Sequence, residues 1–270
     1  MKQTITFIGA GNMAQALIGG LLADGHPAER LRAADPDPTT RQRVGELGEI
    51  HATDDNLEAA DGADVVVLAV KPQVIDRVLE SIADALSPTA VVASVAAGIP
   101  VERLQRGLGG ARPVVRVMPN TPALLGQGAT GLYAAPACSD EQRAAVRSLF
   151  GAVGAVVEVD DEALMDVVTA ISGSGPAYFF ALAEALAQAG IEAGLPPDAA
   201  RTLADRTAAG AGAMLADGEV DAGTLRERVT SPGGTTAAAL DQFRADRLEA
   251  IVARAVDAAI RRGRELGSAE

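Results

Sequence analysis

Two glycine-bearing turns carry the residues of this chain best suited to chemistry. The first is "FIGAGNMAQAL", near the start, with Gly9, Gly11 and the small Ala14. The first glycine allows a tight turn, the second lets backbone approach a pyrophosphate, and the small third residue lets a helix pack on the strand before it. An acidic residue, Asp35, closes the next apolar run, "LRAAD", where the adenosine ribose of a dinucleotide would meet it. The spacing predicts a nicotinamide dinucleotide site. An acid at that point favours NAD through the ribose 2′-hydroxyl. Thr39, Thr40, Arg41 and Arg43 follow closely and offer neutralisation of the 2′-phosphate of NADP, so both cofactors stay open.

The second turn is "SPGGTT", residues 231–236. A simple helix break, with Pro232 and Gly233 ending one helix and a Thr capping the next, accounts for only part of it. Two glycines followed by two hydroxyls place side-chain-free backbone at Gly233–Gly234 just before the N–H groups of Thr235 and Thr236. At a helix start this makes a pocket for a small carboxylate that needs no Arg.

The elements around these turns fall into two groups. Up to about residue 160, short β-branched runs ("TITFIGA", "ADVVVLAV", "AVVASVAAG", "PVVRVMPN", "GATGLYAA", "GAVVEVD") alternate with helical patterns ("MAQALIGGLLADG", "QVIDRVLESIADAL", "PVERLQRGL"). That alternation predicts an α/β fold, a doubly wound, mostly parallel sheet with helices on both faces. After Asp160-Asp161 every segment reads as helix. The expected organisation is therefore a dinucleotide-binding domain over 1–161 and an all-helical domain over 162–270. The long helices of the second half carry Ala, Gly and Leu on more than one face, which points to a homodimer built through that half.

Composition narrows the partners. The net charge of −13 excludes a nucleic-acid binder, which needs a positive footprint. Any anion must then be met by positive potential created locally, which backbone N–H groups at helix N-termini can supply without a Lys or Arg. The single cysteine, Cys138, allows no internal disulfide, no apolar run is long enough to cross a membrane, and the opening "MKQTITFIGAG" enters a strand without a signal-peptide pattern. A cytoplasmic protein is expected, with Cys138 incidental and His26 and His51 at solvated positions.

Missing residues narrow the reaction. One Cys and two His supply no zinc cluster. Tyr133 and Tyr178 lack a Lys four residues on, and the only lysines, Lys2 and Lys71, leave the helical half without a basic acid/base group. Ketone reduction needs a proton donor for the developing alkoxide, whereas a protonated imine is already electrophilic and needs mainly positioning. The chain leans towards C=N reduction. Lys71, just before Pro72 at a strand's C-terminal end, stands at the edge where open α/β sheets bind ligands.

Taken together, "FIGAGNMA", "VVVLAVKPQ", "VVRVMPNTPALLGQGATGLYA", "VTAISGSGPAYFFALAEAL" and "RVTSPGGTTAAAL" resemble the pyrroline-5-carboxylate reductase family over nearly the whole chain. The resemblance implies a Rossmann-like domain followed by a helical domain that intertwines two subunits, with dimers in many members assembling into a ring of five. It implies reduction of (S)-1-pyrroline-5-carboxylate to L-proline by NADPH, or by NADH, the last step of proline synthesis. It carries the pyrophosphate cradle onto Ile8, Gly9, Ala10, Gly11, Asn12 and Met13, and the adenosine end onto Asp35, Asp37 and Asn56. The nicotinamide end falls on Ala69, Val70, Lys71, Pro72 and Ala97. Asn120, Glu162, Gly234, Thr235 and Thr236 fall at the substrate, with Thr236 the expected catalytic residue through a hydrogen bond to the ring nitrogen. SGSGPAY reads chiefly as a close helix crossing at Gly173 and Gly175. Two rivals remain at this stage: a six-membered cyclic imine acid, which one methylene separates by only about 1–3 kcal/mol, and a dinucleotide sensor without turnover.

Overall fold

The structure, a computed structural model, describes residues 3–268. Eight strands form one sheet: β1 (Ile5–Ile8), β2 (Leu31–Ala34), β3 (His51–Thr53), β4 (Val65–Leu68), β5 (Val91–Ser94), β6 (Val114–Met118), β7 (Gly128–Ala134) and β8 (Gly154–Glu158). Their order is β3-β2-β1-β4-β5-β6-β7-β8. The first six run parallel, β7 lies antiparallel to β6, and β8 returns parallel to β7. The expected mostly parallel sheet is present, and its reversal at β7 follows from a short connection, a 3₁₀ turn at Thr121–Leu125, which cannot carry a parallel crossover.

The helices are α1 (Asn12–Ala23), α2 (Pro38–Gly45), α3 (Asn56–Ala60), α4 (Ile75–Ile82), α5 (Val101–Gly107), α6 (Asp140–Gly151), α7 (Leu164–Val168), α8 (Gly175–Glu192), α9 (Pro197–Asp217), α10 (Ala222–Arg228), α11 (Thr235–Ala245) and α12 (Leu248–Ser268). Side chains on the central strands alternate between two cores. Ile5, Phe7, Val65 and Val67 pack with Leu17, Ile18 and Leu21 of α1 and Leu149 and Phe150 of α6. Ile8, Val66 and Leu68 pack on the other face with Ile75, Leu79 and Ile82 of α4 and Leu104 of α5. A strand buried on both faces has no polar side, which is why these segments read as unbroken apolar runs. Helix α6 starts at a capping box in which Ser139 accepts from the Gln142 N–H and the Gln142 side chain accepts from the Ser139 N–H. Cys138, beside it, donates its thiol to the Val114 carbonyl, and burial pushes that thiol's pKa up.

Two compact units result, and the first comprises the described part of Met1–Ser174 together with that of Ala259–Glu270. The strands end at β8 as expected, yet this unit runs past the expected 161/162 boundary. Helix α7 and the π turn at Thr169–Gly173 remain with the sheet because Met165 and Ala170 are buried there. The second unit is Gly175–Ala258. Helices α8 and α9 cross closely at Gly190, where an added Cβ would lie 3.3 Å from that of Ala200. The buried hydrophobic side chains of this unit are Ala200 and Ala204, while Phe179 and Phe180 stand 65% and 67% exposed. A unit with so little interior needs a partner surface.

Phe150 anchors the α6 side of the first core with no exposed surface. Phe150→Ala is expected to cost about 3–5 kcal/mol, read as a lowered urea midpoint of the transition that reports the sheet.

Candidate active site

The glycine turn forms because β1 ends against β4. Gly9 has φ +89°, and a Cβ there would come within 2.6 Å of the Ala69 carbonyl oxygen and 2.8 Å of the Val70 side chain. Only glycine fits. Gly11 differs: its backbone is extended (φ −68°, ψ −171°), it caps α1 with no side-chain hydrogen bond, and a Cβ would meet nothing within 4 Å. The space in front of Gly11 is open, and the first N–H groups of α1 face it with no acid in the first turn. Fully buried Ala14 brings the helix onto the sheet.

Asp35, expected at the ribose, has a structural part. One carboxylate oxygen accepts from the Ala10 N–H at 2.9 Å and the other from the Asp37 N–H at 2.9 Å, so the end of β2 braces the glycine turn. Ala10 itself is buried, and its carbonyl accepts from Gln15 at 2.8 Å. Asp37 caps α2 by accepting from the Thr39 N–H and the Thr40 hydroxyl, and these bonds hold its carboxyl below the usual range. Arg41, read from sequence as a counter-charge, donates to the carbonyls of Asp35 and Pro36 at 2.7 and 3.0 Å and lies 3.8 Å from Asp54.

A cleft of about 1120 Å³ opens at the carboxyl edge of the parallel strands. Of the residues read from sequence, it gathers Ile8, Gly9, Gly11, Asp35, Thr40, Asn56, Ala69, Val70 and Lys71. The others lie beside it. Asn12 is exposed at the start of α1, Met13 packs on the core, Pro72 is half-buried, and Ala97 is half-buried in the turn after β5. Asn56 donates to the Ser81 hydroxyl at 3.1 Å. The far wall, formed by Val74, Arg77, Val78 and Ser81, did not emerge from the sequence, although its i, i+3, i+4, i+7 spacing marks one helix face.

The two residues of the first unit expected at the substrate end are both held by polar bonds. Asn120, 8% exposed, donates to the Ser172 carbonyl at 3.1 Å and accepts from the Ala129 N–H at 2.9 Å, tying β7 to the π turn. Glu162 accepts from the Val101 N–H and from Arg116, each at 2.8 Å, joining the start of α5 to β6. Arg116 was missed from the sequence because an Arg inside a strand pattern gives no local sign of a distant acid.

The second glycine turn belongs to the second unit. Gly233 has φ +68°, the Gly234 N–H closes a turn onto the Ser231 carbonyl at 3.0 Å, and Gly234 caps α11 without a side-chain bond. No Thr caps this helix, against the simple-break reading. Thr235 is exposed and Thr236 half-buried, and neither hydroxyl has a hydrogen-bond partner among the described residues. The first turn of α11 holds no acid. Free N–H groups and two uncommitted hydroxyls suit a small anion with a polar neighbour.

A glycine turn into a helix, an acid at the end of β2 and a cleft at the strands' carboxyl edge define a dinucleotide-binding protein of the doubly wound class. Residues 4–98 match a family model described as NADP oxidoreductase coenzyme F420-dependent, and residues 162–266 match one described as pyrroline-5-carboxylate reductase dimerisation. The chain is 50% identical to pyrroline-5-carboxylate reductase of Pseudomonas aeruginosa over 97% of its own length and 96% of that protein's. A solved pyrroline-5-carboxylate reductase from Coxiella burnetii matches with a TM-score of 0.95 at 39% identity, covering 100% of both chains. The Plasmodium falciparum pyrroline carboxylate reductase, solved with NADP bound, matches at 0.83 and 30% identity over 99% of both. The chain belongs to the pyrroline-5-carboxylate reductase family.

The contrast between the first two glycines is testable. Gly11→Ala should leave the melting temperature within the effect of about 0.5 kcal/mol and raise the Kd for NADPH on the order of tenfold. Gly9→Ala should lower the melting temperature itself. Equal melting losses for both variants would contradict the assignment of the space at Gly11 to a ligand.

Proposed function

We propose that this chain reduces (S)-1-pyrroline-5-carboxylate to L-proline with NADPH, and less readily with NADH, closing proline synthesis. The observation that carries the reading is the pair of glycine-led helix starts, α1 and α11, both uncapped by side chains and without acids in the first turn. In a chain of net charge −13 they supply local positive potential for two anions, a pyrophosphate and a carboxylate. Membership in the family and the NADP held by the Plasmodium falciparum relative support the choice of substrate and cofactor.

When bound, the nicotinamide cofactor supplies the hydride. The N–H groups at the start of α1, with Ile8 to Met13 around them, hold its pyrophosphate, and Asp35 and Asn56 face the adenosine end. Ala69, Val70, Lys71 and Pro72 line the way to the nicotinamide, with Ala97 in the next turn. In the second unit the N–H groups of Thr235 and Thr236, beside Gly234, take the substrate carboxylate. The Thr236 hydroxyl hydrogen-bonds the ring nitrogen and orients the C=N bond. No strong acid is needed, because a protonated imine is electrophilic before hydride arrives and the nitrogen takes its proton from water. Glu162 and Asn120, expected at the substrate end, fix the backbone of the first unit through the bonds they already make.

The helical unit pairs with that of a second copy through the apolar residues it leaves exposed, and dimers assemble further into a decamer of five. The enzyme works in the cytoplasm.

Purified protein is expected to oxidise NADPH only when pyrroline-5-carboxylate is present, forming proline in equal amount. Cofactor binding without turnover would replace the reductase reading with that of a sensor. Thr236→Ala is expected to lower kcat roughly 10²-fold while the Kd for NADPH holds. Unchanged turnover would remove Thr236 from the mechanism.

A further inference from the structure

The dinucleotide cleft has a charge problem at its adenosine end, and the inference below rests on reading that cleft as the NADPH site. Asp35, Asp54 and Asp55 all line it. A ribose 2′-phosphate brings a further charge of about −1.5 to −2 at neutral pH. Some group must hold it against three carboxylates, and neither Arg41 nor Arg43, the cations proposed from the sequence, lines the cleft. Arg41 keeps one nitrogen on the backbone carbonyls of Asp35 and Pro36 and stands 3.8 Å from Asp54.

The cleft holds two other cations, Lys71 and Arg77. Lys71 directly follows Ala69 and Val70, the residues against which Gly9 turns, which puts it beside the glycine turn, on the way to the nicotinamide. Arg77 lies on α4, on the face shared by Val74, Val78 and Ser81. In sheet order β1 separates β2 from β4, so Asp35 at the end of β2 and α4 after β4 form the two sides of the cleft. The Arg77 side chain is exposed and makes no hydrogen bond or ion pair among the described residues. Its acidic neighbour Asp76 is taken by Arg103, which binds it at 2.7 and 3.1 Å. Ser81, one turn further along the same face, accepts from Asn56 at 3.1 Å, so a neutral hydrogen-bonding pair shares the cleft lining with Arg77.

We propose that Arg77 sets the cofactor preference of this enzyme by meeting the adenosine 2′-phosphate of NADPH from the α4 wall. The two apolar neighbours, Val74 and Val78, give the adenine a surface, and the planar guanidinium suits a phosphate better than an ammonium would. Asp35, with each oxygen already accepting a backbone N–H, braces the glycine turn and stays compatible with the phosphate because Arg77 faces it.

The test is steady-state kinetics of the full chain and of Arg77→Gln with NADPH and with NADH at fixed pyrroline-5-carboxylate. It is accompanied by inhibition with 2′-phospho-AMP and with AMP. Loss of one charge-assisted phosphate contact is expected to raise the KM for NADPH on the order of tenfold, with kcat and the KM for NADH held. Inhibition by 2′-phospho-AMP should weaken by a like factor while that by AMP stays the same. Arg77→Lys should recover part of the preference. A variant that shifts both cofactors equally, or leaves the NADPH-to-NADH ratio unchanged, overturns the proposal for Arg77 alone. An unsubstituted protein that binds neither cofactor overturns the dinucleotide reading as well, and the two failures are told apart by that control.

Discussion

The architecture of the first unit depends on one close passage, where Gly9 runs beside the carbonyl of Ala69 at the ends of β1 and β4. A side chain at that point would drive the two strand ends apart. With none there, β1 turns over Gly9–Gly11 into α1, and the start of that helix comes to lie over the carboxyl edge of the sheet. The bond from the Ala10 N–H to Asp35 then ties the turn to the end of β2, so the strands on both sides of β1 take part in holding it. The cleft, the exposed N–H groups and the open space before Gly11 all follow from this arrangement.

The same physical device answers the charge of the chain. A protein at −13 repels anionic ligands at long range, and side-chain cations near the cleft are few. Backbone N–H groups at helix starts carry partial positive charge regardless of net charge, and they hold a phosphate or carboxylate at fixed geometry. The chain has such a helix start twice, at α1 in the first unit and at α11 in the second. In both places it leaves the cap to glycine, where a Ser or Asp would have filled the position the anion needs.

Much of this was legible in the residues. Val65–Leu68 and Val91–Ser94 are β-branched runs buried on both faces, and such runs announce central strands. The glycine turn, Asp35 and SPGGTT stood out because turn chemistry is local. What stayed hidden depends on contacts between distant segments or on elements too short for a period. His51–Thr53 is a three-residue strand and Asn56–Ala60 a five-residue helix; neither shows a repeat. The pairing of Glu162 with Arg116 and with the Val101 N–H joins three separate stretches, and nothing within any one of them predicts it. The bond from Ala10 gives Asp35, an expected ribose ligand, a bracing part as well, and Arg41, an expected counter-charge, is bonded to the backbone carbonyls of Asp35 and Pro36. The extent of the first unit was hidden for the same reason: Met165 and Ala170 belong to helical sequence, and only their burial shows that they stay with the sheet.

The central claim is that the chain transfers hydride from a nicotinamide cofactor to an imine carbon. The most direct measurement follows that hydride with NADPH carrying deuterium at the transferring position of C4, purified protein and pyrroline-5-carboxylate, the product being read by mass spectrometry and NMR. The account predicts proline with one deuterium at C5 of its ring and none elsewhere. Proline formed without deuterium from either C4-labelled epimer of the cofactor, or no proline at all, would contradict it.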